Sequence, residues 1–495
     1  MKKIIYQLLA LTLIFFSCQN LDEMNVDPNR PTSAHPQLLL TKIQWNAFQD
    51  NGGTGPLYAQ KMLVQTDGEN ASQYYKWDRS DFSAYSRLRD VTKMIQEGEK
   101  ISDNSYVALG KFFRAVYFYN LTMTFGDVPY SKALRGELDP VYTPSSYDSQ
   151  KAVFQGILKE LEEANTLLKN ENKIIAGDVI FKGDITKWRK VVNAYRLKVL
   201  MALSGKESEA DLNVKAAFAQ IVANEPILVS ESDDAQLVFL DQQGNRYPEF
   251  NSSGFGSGMY IDSTFIRRLQ DREDPRLFIY CTQTKVGSEA GKALTDFSSY
   301  EGGDPAVPYA QVNIKATAGR TSKVNDRYHK DPTTEPRVLL GFAEQNFILA
   351  EAVVRNWITG SADTYYQKGV KASFKFYETY SKGVMPSYVT SAKADTYLAK
   401  SINDISKVTT TAQKIEMIAM QKYLRSFFQS GWDSYFNTLR TGYPEYRRPA
   451  GVALPFRWIY PQAEYNNNRE NVAAAIKSQF GENNDLINQR TWWLK

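Results

Sequence analysis

Apolar residues recur along much of the chain at alternating steps of four and three positions, the spacing of one buried helix face. Such stripes run over residues 188–202, 340–354 and 417–427. Residues 107–124 are apolar nearly all round, which predicts a central buried helix. The pattern predicts a mostly α fold, with further helices near residues 37–50, 82–101, 150–169, 211–223, 361–381, 391–402 and 470–479.

The pattern changes between residues 225 and 335, where Gly, Pro, Ser, Asn and Asp are frequent and β-prone pieces such as 235–240 are short. This composition predicts long loops, a helix near 261–270 and a small hairpin. Long ordered loops between helices commonly carry function. Since no clean linker interrupts the order of helices, loops and helices, we expect one compact domain over residues 35–495.

The first residues have the pattern of an export signal. Lys2 and Lys3 precede an apolar run of about 13 residues, too short to span a membrane, and Ser17 is a small residue suited to cleavage. Cleavage there leaves Cys18 at the N-terminus, where a lipid can be attached. We therefore predict a lipoprotein signal peptide over 1–17 and a lipidated tether over 18–34. The alternative is an ordinary signal peptide followed by an unmodified cysteine.

Composition narrows the classes of function. Without Lys2 and Lys3 the chain has 57 basic and 55 acidic residues and no basic tract, which argues against a nucleic-acid surface. The 30 Tyr, 26 Phe and 8 Trp residues suit wet binding surfaces and tightly packed helices equally. If Cys18 carries lipid, Cys281 has no disulfide partner, and we expect it to be a buried thiol.

Motifs for metal and enzyme chemistry are weak. His35 and His329 lack a histidine or cysteine at ligand spacing and are expected at the surface. The glycine-containing stretches 254–259 and 287–293 fit neither a nucleotide fingerprint, a phosphate loop nor a nucleophile elbow. Carboxylate pairs such as Asp262 and Asp271 can serve a glycoside hydrolase, but any single pair among 55 acidic residues is weak evidence. We expect no catalytic residues, no metal and no cofactor.

Several stretches, taken together and in order, resemble one known family. They are NVDPNRP (25–31), FGDVPY (125–130), WRKVVNAYRLKVLMALS (188–204), DPRL (274–277), AEQNFILAEA (343–352), RTGYP (440–444) and PFRWIYP (455–461). With the leader, they resemble the SusD/RagB-type outer-membrane lipoproteins, especially their starch-binding-like branch. The resemblance spans essentially the whole chain.

The resemblance implies a mostly α-helical fold with long loops and little β structure, built on four tetratricopeptide-like helix pairs. It also implies a lipid-anchored protein at the cell surface that covers a TonB-dependent outer-membrane transporter and captures nutrients for it. We therefore expect non-enzymatic capture of glycans or oligosaccharides. Capture of peptides or another nutrient on the same scaffold, a lipid-anchored glycoside hydrolase and a structural lid without a ligand are the alternatives.

A glycan binder needs flat apolar faces for sugar C–H surfaces and polar groups for hydroxyls. Residues 65–79, QTDGENASQYYKWDR, supply both in a segment without helical periodicity. Three further tyrosines lie in the glycine-rich region. The alternative is that these aromatic side chains pack the segment onto the helices. The predicted ligand-binding residues are Tyr74, Tyr75, Trp77, Arg79, Tyr260, Tyr300 and Tyr309.

Overall fold

Helices dominate the computed structural model, which describes residues 35–136, 144–255 and 258–495. The predicted signal peptide, Cys18 and the tether lie outside the described residues. The mostly α fold is confirmed, and each predicted helix has a counterpart within a few residues. The longer helices are Pro36–Gln49, Ser83–Lys100, Asn104–Phe125, Gln150–Lys169, Ile185–Ala202, Val214–Asn224, Ser263–Asp271, Tyr309–Thr317, Phe342–Val354, Ala362–Tyr380, Ser391–Leu398, Thr411–Arg425, Asp433–Thr441 and Arg469–Phe480. The short helices are Thr54–Ala59, Ala71–Tyr74, Leu277–Tyr280, Lys285–Glu289, Arg327–Lys330 and Gln462–Asn467.

The central helix Asn104–Phe125 is buried over most of its length, as its apolar composition predicts. It begins three residues before the predicted start because the Asp103 carboxylate accepts a hydrogen bond from the Ser105 N–H at 3.0 Å, which caps the first turn. It ends at Gly126, whose φ of 92° is unfavourable for a residue with a side chain. The FGDVPY stretch therefore terminates a helix.

Helices that follow one another pack side by side. Ser83–Lys100 packs against Asn104–Phe125, and Phe342–Val354 packs against Ala362–Tyr380. A Cβ atom at Gly110 would lie 2.3 Å from a side-chain carbon of Ile95, and one at Gly369 would lie 2.7 Å from the Phe347 ring. Glycine at these positions lets each pair approach closely, which is consistent with tetratricopeptide-like packing.

The DPRL stretch forms a buried ionic site within the scaffold. Asp274 and Arg276 are both fully buried, and their carboxylate and guanidinium are 2.6 Å apart at the shortest contact. Arg276 also donates to the Ser373 hydroxyl at 2.9 Å and to the Gln421 side chain at 3.2 Å. Because these partners belong to two helices distant in sequence, Arg276 joins the loop to the helical core.

The strands correct one prediction. The short strands β1 (Leu63–Gln65) and β3 (Met259–Ile261) form one antiparallel pair, and β2 (Ala235–Leu237) and β4 (Arg337–Leu340) form the other. The predicted small hairpin is therefore wrong for the described residues. Each strand pairs with a segment distant in sequence, and the local turn pattern carries no information on such a partner.

Three smaller predictions differ from the structure. Leu340, the first residue of a predicted helical stripe, belongs to β4, and the helix begins at Phe342. The three asparagines at 466–468 favour a turn before the helix predicted near 470–479, but only Asn468 separates Gln462–Asn467 from that helix. His329 is not a surface residue, because it is half-buried with its ring stacked on Phe255 at 5.1 Å. His35 is exposed, as expected.

The described part of the chain has an extensive core to which nearly all of the long helices contribute. Cys281 lies in it as a free thiol with 1% exposure, which confirms the predicted buried thiol. Within the described ranges, none of the helices combines the length and apolar character needed to cross a membrane.

Candidate functional site

The segment around Tyr74 is ordered by its own polar side chains. The Asn70 side chain accepts a hydrogen bond from the Gln73 N–H at 3.0 Å, which caps the short helix Ala71–Tyr74. Tyr75 ends this helix in a left-handed conformation with a φ of 55°. The two neighbouring tyrosines then enter different environments. The Tyr74 hydroxyl donates to the Val307 carbonyl at 2.8 Å, whereas the Tyr75 hydroxyl donates to a buried carbonyl of the scaffold.

Trp77 lies in an aromatic cluster inside the protein. It is 8% exposed, and its ring is stacked on Trp458 with centroids 4.6 Å apart. The edge of Trp432 is 5.6 Å away, and the indole N–H donates to the Arg457 carbonyl at 3.1 Å. Tyr75, 4% exposed, packs against the same indole. Both residues therefore pack the segment onto the scaffold, which was the alternative to a ligand role.

Tyr300 and Arg79, two other predicted ligand-binding residues, do not share an exposed surface with each other. Tyr300 is 2% exposed and its hydroxyl donates to the Leu294 carbonyl at 2.7 Å, so its ring presents no face to solvent. Arg79 is exposed but is held by the C-terminal part of the chain, since it donates to the Tyr460 carbonyl at 2.6 Å and lies over the Tyr465 ring.

Tyr74, Tyr260 and Tyr309 form what we call the aromatic face. Tyr74 is only 6% exposed and lies buried beside Tyr309, so Tyr260 and Tyr309 supply the accessible ring surface of this face. Burial raises the pKa of Tyr74, and the charges of Glu69 and Asp304 raise it further. A hydrogen bond from the Tyr309 backbone N–H lowers it, which places these groups close together. Tyr309 is 38% exposed.

Tyr260 reaches the same neighbourhood through the β1–β3 pair. It stands opposite Val64, and opposed residues of antiparallel strands share a face of the sheet. Val64 and Val312 both lie beside Gly303, so the helix Tyr309–Thr317 covers this side of the strands. The Tyr260 ring is half-buried, with the Lys323 ammonium group 5.3 Å from its centroid.

An open cavity of about 760 Å³ lies beside the aromatic face. We call it the arginine cavity; its walls are Arg268 and residues 445–453, which include Glu445, Arg447 and Arg448. Arg447 makes two hydrogen bonds to the Asp304 carboxylate, at 2.7 and 2.5 Å. Because the charge of Asp304 acts on Tyr74, this ion pair marks the border between the cavity and the aromatic face.

The sequence pattern does not predict the arginines of the cavity or the loop that carries Arg447 and Arg448. Residues 442–461 form a long loop with several prolines and glycines between two helices. Long ordered loops commonly carry function, and the composition of residues 225–335 drew attention to that region alone. Arg268 lies on the helix predicted near 261–270, and its sequence position does not reveal which loop it contacts.

A second cavity lies between the helices and is too small for a sugar. Its volume is about 30 Å³, enough for one or two water molecules. Its walls include ion pairs such as Lys198 with Asp433 at 2.5 Å and Lys422 with Glu344 at 2.9 Å. Within the described ranges, no group of three or more His, Cys, Asp or Glu residues is placed to hold a metal ion.

The family model and the similar solved structures point to the same protein family. The model of the SusD-like family, described as starch-binding and associating with the outer membrane, matches residues 28–461. No curated protein matches the chain. A SusD homologue from Bacteroides fragilis is 50% identical, with a TM-score of 0.89 over 94% of this chain and 100% of its own.

Two further solved structures extend the comparison. An outer-membrane protein from Bacteroides vulgatus, described as involved in nutrient binding, is 52% identical, with a TM-score of 0.90 over 93% of this chain and all of its own. A chitin-binding protein at 23% identity shares the fold, with a TM-score of 0.74 over 93% of this chain and 99% of its own.

Proposed function

The chain belongs to the SusD-like family, and we propose that it captures glycans or oligosaccharides at the cell surface. The aromatic face beside the arginine cavity is the observation that carries this proposal. Tyrosine rings cover the apolar C–H surfaces of sugars, while arginine side chains and loop carbonyls serve their polar groups. The starch named in the family's description and the chitin named for a protein of the same fold are of this ligand class.

We propose that capture serves transport across the outer membrane. On this proposal, residues 1–17 direct export, Cys18 carries the lipid, 18–34 form the tether and 35–495 form the ligand-binding domain, which delivers its ligand to a TonB-dependent transporter. Replacing Cys18 with Ala should release the protein from the membrane fraction or block its processing. Wild-type fractionation of this variant and no acyl mass on Cys18 would refute the anchor.

Copurification tests the transporter partner. We expect the native protein, extracted in mild detergent, to elute with a TonB-dependent transporter identified by mass spectrometry. The matched control is the Cys18→Ala variant solubilised under the same conditions, which should lose the partner if the anchor brings the two together. Repeated recovery of the native protein as a lone monomer would contradict delivery to a transporter.

We further propose that binding occurs without catalysis. Asp262 and Asp271, the carboxylate pair considered from the sequence, stand at opposite ends of one nine-residue helix. At 1.5 Å per residue they are roughly 13 Å apart, beyond the separation of the two carboxylates of a glycoside hydrolase. Asp262 is also fully buried as the helix cap, and Asp271 pairs with Arg267 at 2.7 Å.

Binding and product analysis together test the proposal. We expect oligosaccharides from a glycan array to bind with roughly micromolar to millimolar affinity, because desolvation of sugar hydroxyls offsets much of the apolar gain. The bound saccharide should be recovered intact by mass spectrometry after prolonged incubation. Shortened products would favour the hydrolase alternative, and binding of peptides without any glycan would favour peptide capture.

A further inference from the structure

We infer that the arginine cavity receives negatively charged groups, so that the captured glycan is acidic and carries carboxylates or sulfate esters. The inference rests on the proposed function, since it names the class of glycan that the same site takes. Arg268 and Arg448 are the residues that would contact the anionic groups, and the aromatic face would hold the adjoining sugar rings.

The charge of the cavity wall is the first reason. Three arginines line it against a single acidic residue, Glu445. Arg447 is neutralised by Asp304, but no carboxylate of the described residues lies within ion-pair distance of Arg268 or Arg448. Arg268 and Arg448 thus line one open volume of about 760 Å³ without a carboxylate partner.

The hydrogen bonds of these two arginines are the second reason. Arg268 donates to the Glu445 carbonyl, and Arg448 donates to the carbonyls of Val452 at 2.8 Å and Tyr446 at 3.1 Å. Neutral carbonyls hold the guanidinium groups in place without cancelling their charge. Preorganised guanidinium groups match the paired oxygens of a carboxylate or sulfate, and such hydrogen bonds are roughly twice as strong as neutral ones.

Arg268 also has unused donor capacity. Its Nη1 is buried and has no hydrogen-bond partner among the described residues. A buried donor without a partner costs free energy, and native proteins keep few of them. The ring of Tyr423 lies 5.0 Å from the guanidinium and supports its position, so a bound anion would meet a side chain that is already fixed.

The charged groups behind the cavity do not cancel this potential. The Asp262 carboxyl acts on Arg268, and the Lys61 ammonium group acts on Arg448. Burial raises the pKa of Asp262 and lowers the pKa of Lys61. Lys61 and Asp262 also act on each other, so their opposite charges offset when both are ionised. The excess positive charge of the cavity is therefore available to be neutralised by an anionic ligand.

Isothermal titration with tetrasaccharides of matched length tests the inference on the mature chain. The probes are tetragalacturonate, a sulfated chondroitin tetrasaccharide and neutral maltotetraose and chitotetraose. We expect at least one acidic probe to bind at least tenfold more tightly than either neutral one at low salt. Its affinity should fall as the NaCl concentration is raised from about 20 to about 300 mM, because salt screens exposed charges.

Arginine variants identify the residues responsible. Arg268→Gln and Arg448→Gln should each weaken binding of the acidic probe severalfold, and the double variant at least tenfold. Arg268→Lys should retain part of the affinity, because it keeps the charge but loses the planar donor pair. Arg267→Gln is the matched control: this neighbour is exposed and paired with Asp271, and its loss should leave affinity unchanged. Melting temperatures of all variants show that each one is folded.

The outcomes separate the two proposals. Preference for galacturonate or for the sulfated probe supports the inference and tells which anion the site takes. Tighter binding of a neutral probe, unaffected by the folded double variant, overturns the acidic ligand and leaves glycan capture standing. If no tetrasaccharide binds to folded wild-type protein but peptides do, glycan capture and the acidic ligand are both overturned.

Discussion

The arginines of the scaffold and those of the cavity differ in whether a carboxylate neutralises their charge. In the core, Arg276 is fully buried against Asp274, and Arg440 makes a two-point contact with Glu351. At the cavity, the hydrogen bonds of Arg268 and Arg448 go to backbone carbonyls, and among the described residues none goes to a carboxylate. A buried charge without a partner is strongly unfavourable, so the scaffold supplies a carboxylate for each. The cavity is open to solvent and leaves that role to a ligand.

The aromatic residues show the same division. Trp77 has its face covered by Trp458 and its N–H bonded to a carbonyl, so its interactions are complete within the chain. Tyr309 lies at the surface with 38% of its area exposed. Residues of one chemical class therefore serve stability in one region and are available for binding in the other. Variants in the scaffold should therefore change stability and leave ligand affinity unchanged, and variants at the cavity should do the reverse.

The largest expected effect is on the buried pair of the scaffold. Replacing Asp274 with Ala leaves Arg276 as an uncompensated buried charge, which should cost about 3–5 kcal/mol of unfolding free energy in urea denaturation. Asp271→Ala is the control, because its pair with Arg267 is exposed and should contribute less than about 1 kcal/mol. Similar losses for the two variants would erase the distinction between the regions.

Trp77→Ala should act almost entirely on stability. Truncating a buried aromatic side chain commonly costs about 3–5 kcal/mol, and here it would also expose the stacked face of Trp458. Affinity for the glycan, measured on the folded fraction of the same sample, should be unchanged. A variant with a normal melting temperature and tenfold weaker binding would return Trp77 to the ligand site.

The dependence of stability on pH should report the buried carboxylates of the scaffold. Burial alone would raise the pKa of Glu351, but the charges of Arg440 and Arg355 outweigh it and lower the pKa to about 2. A lowered pKa contributes stability that is present above the unfolded value of 4.5 and is lost as pH falls towards 2. The full contribution is about 3 kcal/mol.

Urea denaturation between pH 6 and pH 3 measures this loss, with Glu351→Gln as the comparison because it cannot titrate. The variant should be less stable at pH 6, since Arg440 and Arg355 lose their counter-charge. The stability difference between the two proteins should shrink steadily below about pH 4.5. A difference independent of pH would show that Glu351 does not titrate in this range.

The sequence predicts most of the helical scaffold because the signals for a helix are local. The helix Gln150–Lys169 has the predicted limits, and the Ser149 side chain caps it. The candidate site depends instead on contacts between segments far apart in the chain. Trp77 and Trp458 stack although they lie far apart in the chain, so the burial of Trp77 follows from tertiary contacts that the local pattern does not encode. The contact between Arg268 and Glu445 is of the same kind.

Tyr309→Ala should produce the smallest free-energy change and the clearest effect on binding. A ring that covers one sugar face gains roughly 25 cal/mol per Å² of buried apolar area, or about 1–2 kcal/mol for one platform. Its loss should weaken glycan binding about tenfold. Because 38% of the residue is exposed, the melting temperature should change by only a few degrees. Tyr309→Phe is the matched control, since it keeps the ring face and removes only the hydroxyl, and it should retain most of the affinity. If Tyr309→Ala binds as tightly as wild type while Tyr260→Ala does not, the platform lies on the β1–β3 pair, and the aromatic face has to be redrawn around Tyr260.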